Sequence, residues 1–130
     1  MSHWRVARWL PQVDLGLLAA LAFAFVSTWA MLSRSSLPIL TDAHHHIYRT
    51  FEIIQAWRQG ILFTTWAPDF YYGYGYPVFN FYAPFTHYLS AAYGLFFGAV
   101  AGVKFSMVLS TFLGTVGVYL FGRDQWGPLP

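Results

Sequence analysis

The sequence predicts an all-α membrane protein with three transmembrane helices and a long external loop that carries an amphipathic interfacial helix. Three observations predict it. Charged residues are 9% of the chain, against about 25% in a soluble domain. Three runs, Leu15–Leu32, 86–103 and 105–121, contain no Asp, Glu or Arg, and no Lys, and approach the roughly 20 residues that cross a bilayer. Between the first two lies 33–85, too long for a simple connector, holding Asp42, Glu52 and Asp69 and the run His44-His45-His46.

The composition also excludes classes. A formal net charge of +2 with no Lys/Arg cluster gives no phosphate-tracking stripe, so no nucleic-acid partner is expected. Without cysteine there is neither a disulfide framework nor a cysteine zinc site. The final Gly-Pro-Leu-Pro, shortly after an apolar run, reads as the edge of a piece cut from a larger polytopic protein.

In chain order, Arg5 and Arg8 alternate with Trp4 and Trp9, a pattern suited to a cytoplasmic membrane interface. Pro11 stands near a helix start. The apolar run Leu15–Leu32 is the first span, with Asp14 placed to favour its N-terminus. A cleaved signal peptide is the rival reading, weakened by the long apolar core and the lack of a small-residue cleavage site. Thr41 or Asp42 then caps a helix running to Gln59 and ended by Gly60. On a helical wheel Asp42, His45, His46 and Arg49 share one face, which Glu52 and Gln59 extend; Ile47, Phe51 and Ile54 lie opposite. Such a helix lies in the interface plane. The stretch 61–84 has no period, is punctuated by Pro68, Pro77 and Pro84, and is rich in aromatic rings that suit a membrane interface.

In the second span, 86–103, Gly94, Gly98 and Gly102 form overlapping GxxxG spacings that predict close helix packing. Lys104 marks a short turn, and the third span, 105–121, adds Gly114 and Gly117 as packing sites. Arg5 and Arg8 set the N-terminus in the cytoplasm of a multi-pass plasma-membrane protein. Residues 33–85 and Arg123 are then outside and Lys104 inside.

Candidate chemistry sits in the loop. Asp42 is a helix cap by spacing alone, or a general base or metal ligand just outside the first span. Asp42 with His45 or His46 supplies two ligand positions at i, i+3 or i, i+4, so a divalent ion is an open possibility that needs ligands from elsewhere. Arg49 either pairs with Asp42 or Glu52 or binds a phosphate in bidentate fashion. Asp69 is a turn residue or a second acidic group. The tyrosines stack on sugar, line a lipid groove, or form an aromatic belt.

The motifs narrow this further. The run D-A-H-H-H-I-Y-R from Asp42 to Arg49, W-A-P-D from Trp66 to Asp69, and G-Y-G-Y-P-V-F-N-F-Y-A-P from Gly73 to Pro84 resemble a family of prokaryotic multi-pass membrane proteins known as 6-pyruvoyl-tetrahydropterin synthase-related. V-Y-L-F-G-R-D-Q-W-G-P near the C-terminus resembles the family's third span and its exit. The layout also resembles GT-C class glycosyltransferases: an acidic residue just after the first span, then an amphipathic external helix. The resemblance implies the N-terminal part of an integral membrane glycosyltransferase of the cell envelope. It would transfer sugar from a polyprenyl-phosphate donor on the outer face. Asp42 would be the catalytic base, and His46, Arg49, Trp66, Asp69, Tyr74, Tyr76, Asn80 and Tyr82 the substrate-binding residues. The implied partners are membrane lipid, a lipid-linked sugar and further transmembrane helices, without which the piece is expected to be inactive. Thr64 and Thr65 depart from the family's P-R before the tryptophan, which removes an arginine from the donor side. The alternative is a non-enzymatic scaffold, transport or assembly component that binds lipid or a partner through the aromatic loop. A pterin enzyme ranks last, since there is no soluble sheet and no well-spaced zinc histidine set.

Overall fold

The computed structural model describes residues 14–37 and 42–127. The basic, tryptophan-bearing stretch before Asp14 and the Thr41 cap lie outside them. The described residues form four α-helices: α1 (Leu15–Leu32), α2 (Ala43–Arg58), α3 (Phe85–Phe97) and α4 (Ala99–Trp126), with a single 3-10 turn at Val78–Asn80. Among the described residues there is no strand, only one antiparallel bridge between Ala67 and Tyr76.

Helix α1 forms where continuous apolarity leaves no competing polar contact. Asp14 starts it: its Oδ1 accepts from the Leu17 N–H at 3.0 Å, satisfying one of the orphan donors of the first turn. The same carboxylate accepts from the Tyr119 hydroxyl and pairs with the Arg123 guanidinium at 2.7 Å, so it joins the start of α1 to the end of α4. At the other end, the Lys104 ammonium donates to the Arg34 carbonyl. The two helices are therefore antiparallel neighbours, and both are long and apolar enough to cross a membrane.

This arrangement corrects the expected position of the turn. The chain does not turn at Lys104, which is helical within the 28 residues of α4. It turns at Gly98, whose φ of 89° is open to glycine and strained for other residues. Lysine is a good helix former, so a charge that breaks the hydropathy profile need not break the helix. Helix α3 has 13 residues, about 20 Å at 1.5 Å each, short of the roughly 30 Å hydrocarbon core. Arg123 and Lys104 also exchange ends: Arg123 lies at the Asp14 end of the α1–α4 hairpin, and Lys104 at the Arg34 end.

The glycine ladder splits into two roles. Gly102 and Gly94 are true packing sites: a Cβ on Gly102 would stand 2.1 Å from the Ser90 carbonyl oxygen and 3.1 Å from the Gly94 Cα. That contact seats α3 on the first half of α4, with the buried Ser90 and Ser106 hydroxyls bonded at 2.7 Å and Tyr93 stacked on Phe105 at 4.4 Å. Gly98 is the turn residue instead. Gly114 and Gly117 face open space, with nothing within 4 Å, and are not packing sites among the described residues.

The core lies beside the hairpin, among α2, α3 and the loop between them. Ile53, Ile54, Ala67, Val78, Phe79 and Ala91 are buried together. The loop is ordered by specific bonds. Ala67 and Tyr76 exchange N–H···O bonds of 2.9 and 3.0 Å, which brings W-A-P-D against G-Y-G-Y-P. The Thr64 amide donates to the Tyr88 hydroxyl at 2.9 Å, pinning the loop to α3. The inward stripe of α2 is the buried Thr50, Ile53 and Ile54 with the partly buried Trp57, at i, i+3, i+4 and i+7. Glu52 is buried as well, at 3% exposure, whereas Phe51 is exposed. Glu52 therefore does not extend the polar face of α2, and Phe51 does not anchor an apolar one.

Candidate functional site

The first turns of α2 and α3 meet across a cavity of about 760 Å³ that Asp42, His45, His46, Arg49, Tyr76, Tyr82 and His87 line, with Phe70, Tyr71 and Thr86. Helical spacing presents Asp42, His45, His46 and Arg49 together. Pro84 initiates α3, its C=O accepting from Tyr88 at 2.9 Å, and this places Thr86 and His87 opposite α2. The loop closes the third side with Tyr76, held by the bridge, and Tyr82.

Asp42 occupies the N-cap position of α2 without using its side chain. Its backbone carbonyl accepts from the His45 and His46 amides at 3.1 and 3.3 Å. The carboxylate is thereby left to the cavity, which removes the capping role that spacing alone favoured. Arg49 lies under Tyr82, its guanidinium carbon 3.9 Å from the ring centroid, a cation–π contact that holds it in place. Its Nε is buried with no hydrogen-bond partner. The one ion pair among the described residues joins Asp14 and Arg123, so Arg49 pairs with neither Asp42 nor Glu52. A guanidinium fixed by a ring at the wall of a cavity is a ready anion site.

His46 stacks on His87 at 5.4 Å. Burial, followed by the charges of His46 and Arg49, pushes His87 down to about 4. Burial and then Arg49 also lower His46. Both imidazoles are therefore neutral at pH 7 and act as hydrogen-bond donors or acceptors, leaving Arg49 as the cavity's full positive charge. Among the described residues no three His, Asp or Glu side chains form a group that could hold a metal ion.

Of the residues expected from sequence, Asp42, His46, Arg49, Tyr76 and Tyr82 line this cavity and Trp66, Asp69, Tyr74 and Asn80 do not. Trp66 packs its ring over Gly75, where a Cβ would stand 2.5 Å from it. Tyr74 and Asn80 point to solvent. Asp69 lines a second cavity with Glu52. His87 was not anticipated from sequence, though an ionisable residue in an apolar run is a signal in its own right. A groove of about 360 Å³ shares His46, Thr86 and His87 with the first cavity and continues past Met31, Val103 and Met107. The hydroxyls of Ser90, Ser110 and Thr111 along it bond back to helix carbonyls of Thr86, Ser106 and Met107. The groove consequently presents mainly apolar surface.

Two buried groups, His87 in this cavity and Glu52 in the second, titrate in opposite senses. Burial, then the nearby Asp69 carboxylate, raises Glu52 from 4.5 to about 7. The folded state thus holds a proton there that the unfolded chain has lost, and stability falls as pH rises from 4.5 to 7. His87 does the reverse: the unfolded chain binds its proton first, so stability rises as pH rises from about 4 to 6.5. Each effect is roughly 2 kcal/mol, trimmed because both groups border open cavities. Wild-type unfolding in detergent should be nearly flat over the shared window. Glu52→Gln should unmask a rise with pH, and His87→Gln a fall. Identical pH profiles for wild type and Glu52→Gln would remove the buried carboxylate from this account.

Compared with family models, curated proteins and solved structures, the chain matches none.

Proposed function

We propose that the chain is the N-terminal part of an integral membrane, GT-C-like glycosyltransferase that takes sugar from a polyprenyl-phosphate donor on the outer face of the plasma membrane. The observation that carries the reading is the convergence of a carboxylate without a capping bond, Asp42, and an unpaired, ring-clamped cation, Arg49, on one cavity at the end of two apolar helices. Asp42 takes the proton of the acceptor hydroxyl as general base. Arg49 binds the donor phosphate and offsets the charge that grows on it as the sugar leaves. His46 and His87, neutral, hydrogen bond to the same group. The adjoining groove accommodates the first isoprene units, because its hydroxyls are already satisfied.

The spans in this reading are α1 and α4, with α2, the aromatic loop and α3 on the outer side. Arg123 then joins Arg5 and Arg8 in the cytoplasm and Lys104 moves outside, so the count of basic residues on each side is the same as for a turn at Lys104. The three-span arrangement would require α3 to cross the membrane by itself.

The test is binding of a polyprenyl phosphate to the chain in lipid nanodiscs. Arg49→Ala should weaken binding by about 10- to 100-fold, the worth of charge-assisted bonds to a phosphate, and Arg49→Lys by less, because charge survives while the fork does not. Equal affinity for wild type and Arg49→Ala would remove the phosphate from this cavity. A second reading, a non-enzymatic component that docks lipid or a partner, is favoured by one observation: Phe63, Tyr72, Tyr74, Phe81 and Phe96 are each at least 70% exposed. It expects undiminished activity of the cell envelope pathway when Asp42 is changed, and loss when these rings are.

A further inference from the structure

Beside the first cavity, and sharing His45, Phe70 and Tyr71 with it, lies a second of about 800 Å³, lined also by His44, Tyr48, Phe51, Glu52, Asp69 and Tyr72, and by no Lys or Arg. Glu52 is 3% exposed, and its Oε2 is buried without a hydrogen-bond partner. The natural helical partner, Arg49 at i−3, turns into the other cavity under Tyr82 instead. Asp69 brings a second carboxylate to the same wall, close enough to oppose ionisation of the first. The loop that carries the aromatic wall is itself constrained. Tyr71 and Tyr72 are consecutive non-glycine residues with φ of 52° and 60°, a conformation that persists only where the surroundings enforce it and that concentrates at ligand sites.

We infer that this cavity binds the ammonium group of an organic cation, an alkylammonium R–NH₃⁺. Two carboxylates without a lysine or arginine call for a positive ligand, and the tyrosine and phenylalanine faces attract a cation held over them. The orphaned Oε2 selects among cations. An alkylammonium carries N–H donors that satisfy it. A quaternary ammonium carries none and leaves the buried oxygen unpaired. A metal ion lacks a third ligand here, because no His, Asp or Glu trio forms among the described residues. The ammonium is that of a phosphoethanolamine lipid headgroup, or of a soluble amine such as an amino sugar. The proposed transfer reaction uses neither Glu52 nor Asp69, which do not line the first cavity, although the two cavities share His45, Phe70 and Tyr71.

The test is titration of the chain in nanodiscs with ethylammonium chloride, followed by tyrosine and tryptophan fluorescence. In phosphatidylglycerol discs binding should saturate and should weaken at least about tenfold in Glu52→Gln, which loses the charge-assisted bond. Asp69 is exposed on the loop, so Asp69→Asn gives a second lesion that leaves the core intact, and it should weaken binding in the same sense. Tetramethylammonium should bind far more weakly, and equimolar sodium should not compete. Repeating the titration in phosphatidylethanolamine discs identifies the source: a lost response means that the headgroup already occupies the site, and an unchanged response points to a soluble amine. Absence of saturation in phosphatidylglycerol, wild-type affinity in both variants, equal binding of tetramethylammonium, or displacement by sodium would each overturn the assignment.

Discussion

Under the proposed transfer reaction, Asp42→Asn is expected to insert and fold as the wild type does and to lose sugar transfer by about 10²- to 10⁴-fold, the usual contribution of a general base. The structure makes the variant a clean one. Asp42 starts α2 through its backbone carbonyl, which accepts from His45 and His46, and its side chain makes no capping bond. An amide in its place preserves the shape, and Asn is itself a good cap. What disappears is the basic lone pair that shares the cavity with Arg49. Transfer is measured on native membranes supplied with a polyprenyl-linked sugar, with unfolding temperature measured alongside. Turnover at the wild-type level with an unchanged unfolding temperature would assign the base elsewhere.

Much of this site was legible because it rests on helical spacing. Asp42, His46 and Arg49 at i, i+4 and i+7 were bound to share a face once α2 formed, and the helix observed, Ala43–Arg58, is close to the one that Asp42 and Gly60 bracket in the sequence. Continuous apolarity fixed α1 just as directly. The failures share a different cause: contacts from segments that have no period. The wheel placed Glu52 with the polar residues, since nothing in the sequence shows that an aromatic loop folds over that part of α2. Asp69 likewise followed Trp66 and Pro68 into the expected donor site, whereas the loop that the Ala67–Tyr76 bridge holds places it in the neighbouring cavity with Glu52. His87 was absorbed into an apolar run read as a span. Its position became meaningful only when Gly98 ended that helix after 13 residues and set its first turn against His46. Hydropathy registers Lys104 as an interruption, but a lysine at a helix end can extend its stem along apolar surface and place its charge at a polar group, here the Arg34 carbonyl.

Gly102→Ala is expected to be the most destabilising single methyl in the chain, at roughly 3 kcal/mol. Helix propensity alone argues the other way, since alanine in place of a helical glycine is worth up to about 1 kcal/mol. The clash decides the sign. The new Cβ would lie 2.1 Å from the Ser90 oxygen, 3.0 Å from the Ser90 carbonyl carbon and 3.1 Å from the Gly94 Cα. All three are backbone atoms of α3, so no rotamer change relieves the contact, and the helix itself must withdraw at the upper end of overpacking costs. Withdrawal pulls apart the Ser90–Ser106 hydrogen bond and the Tyr93–Phe105 stack. It also carries Thr86 and His87 away from Arg49, so phosphate binding should weaken together with stability. Gly114→Ala is the matched control on the same helix: nothing lies within 4 Å of its Cβ, and only the favourable propensity change remains. Unfolding in detergent should therefore separate the two variants in opposite directions from wild type. A Gly102→Ala protein as stable as the Gly114→Ala one would mean that α3 does not rest on α4, and the cavity between α2 and α3 would lose the support that holds its two histidines together.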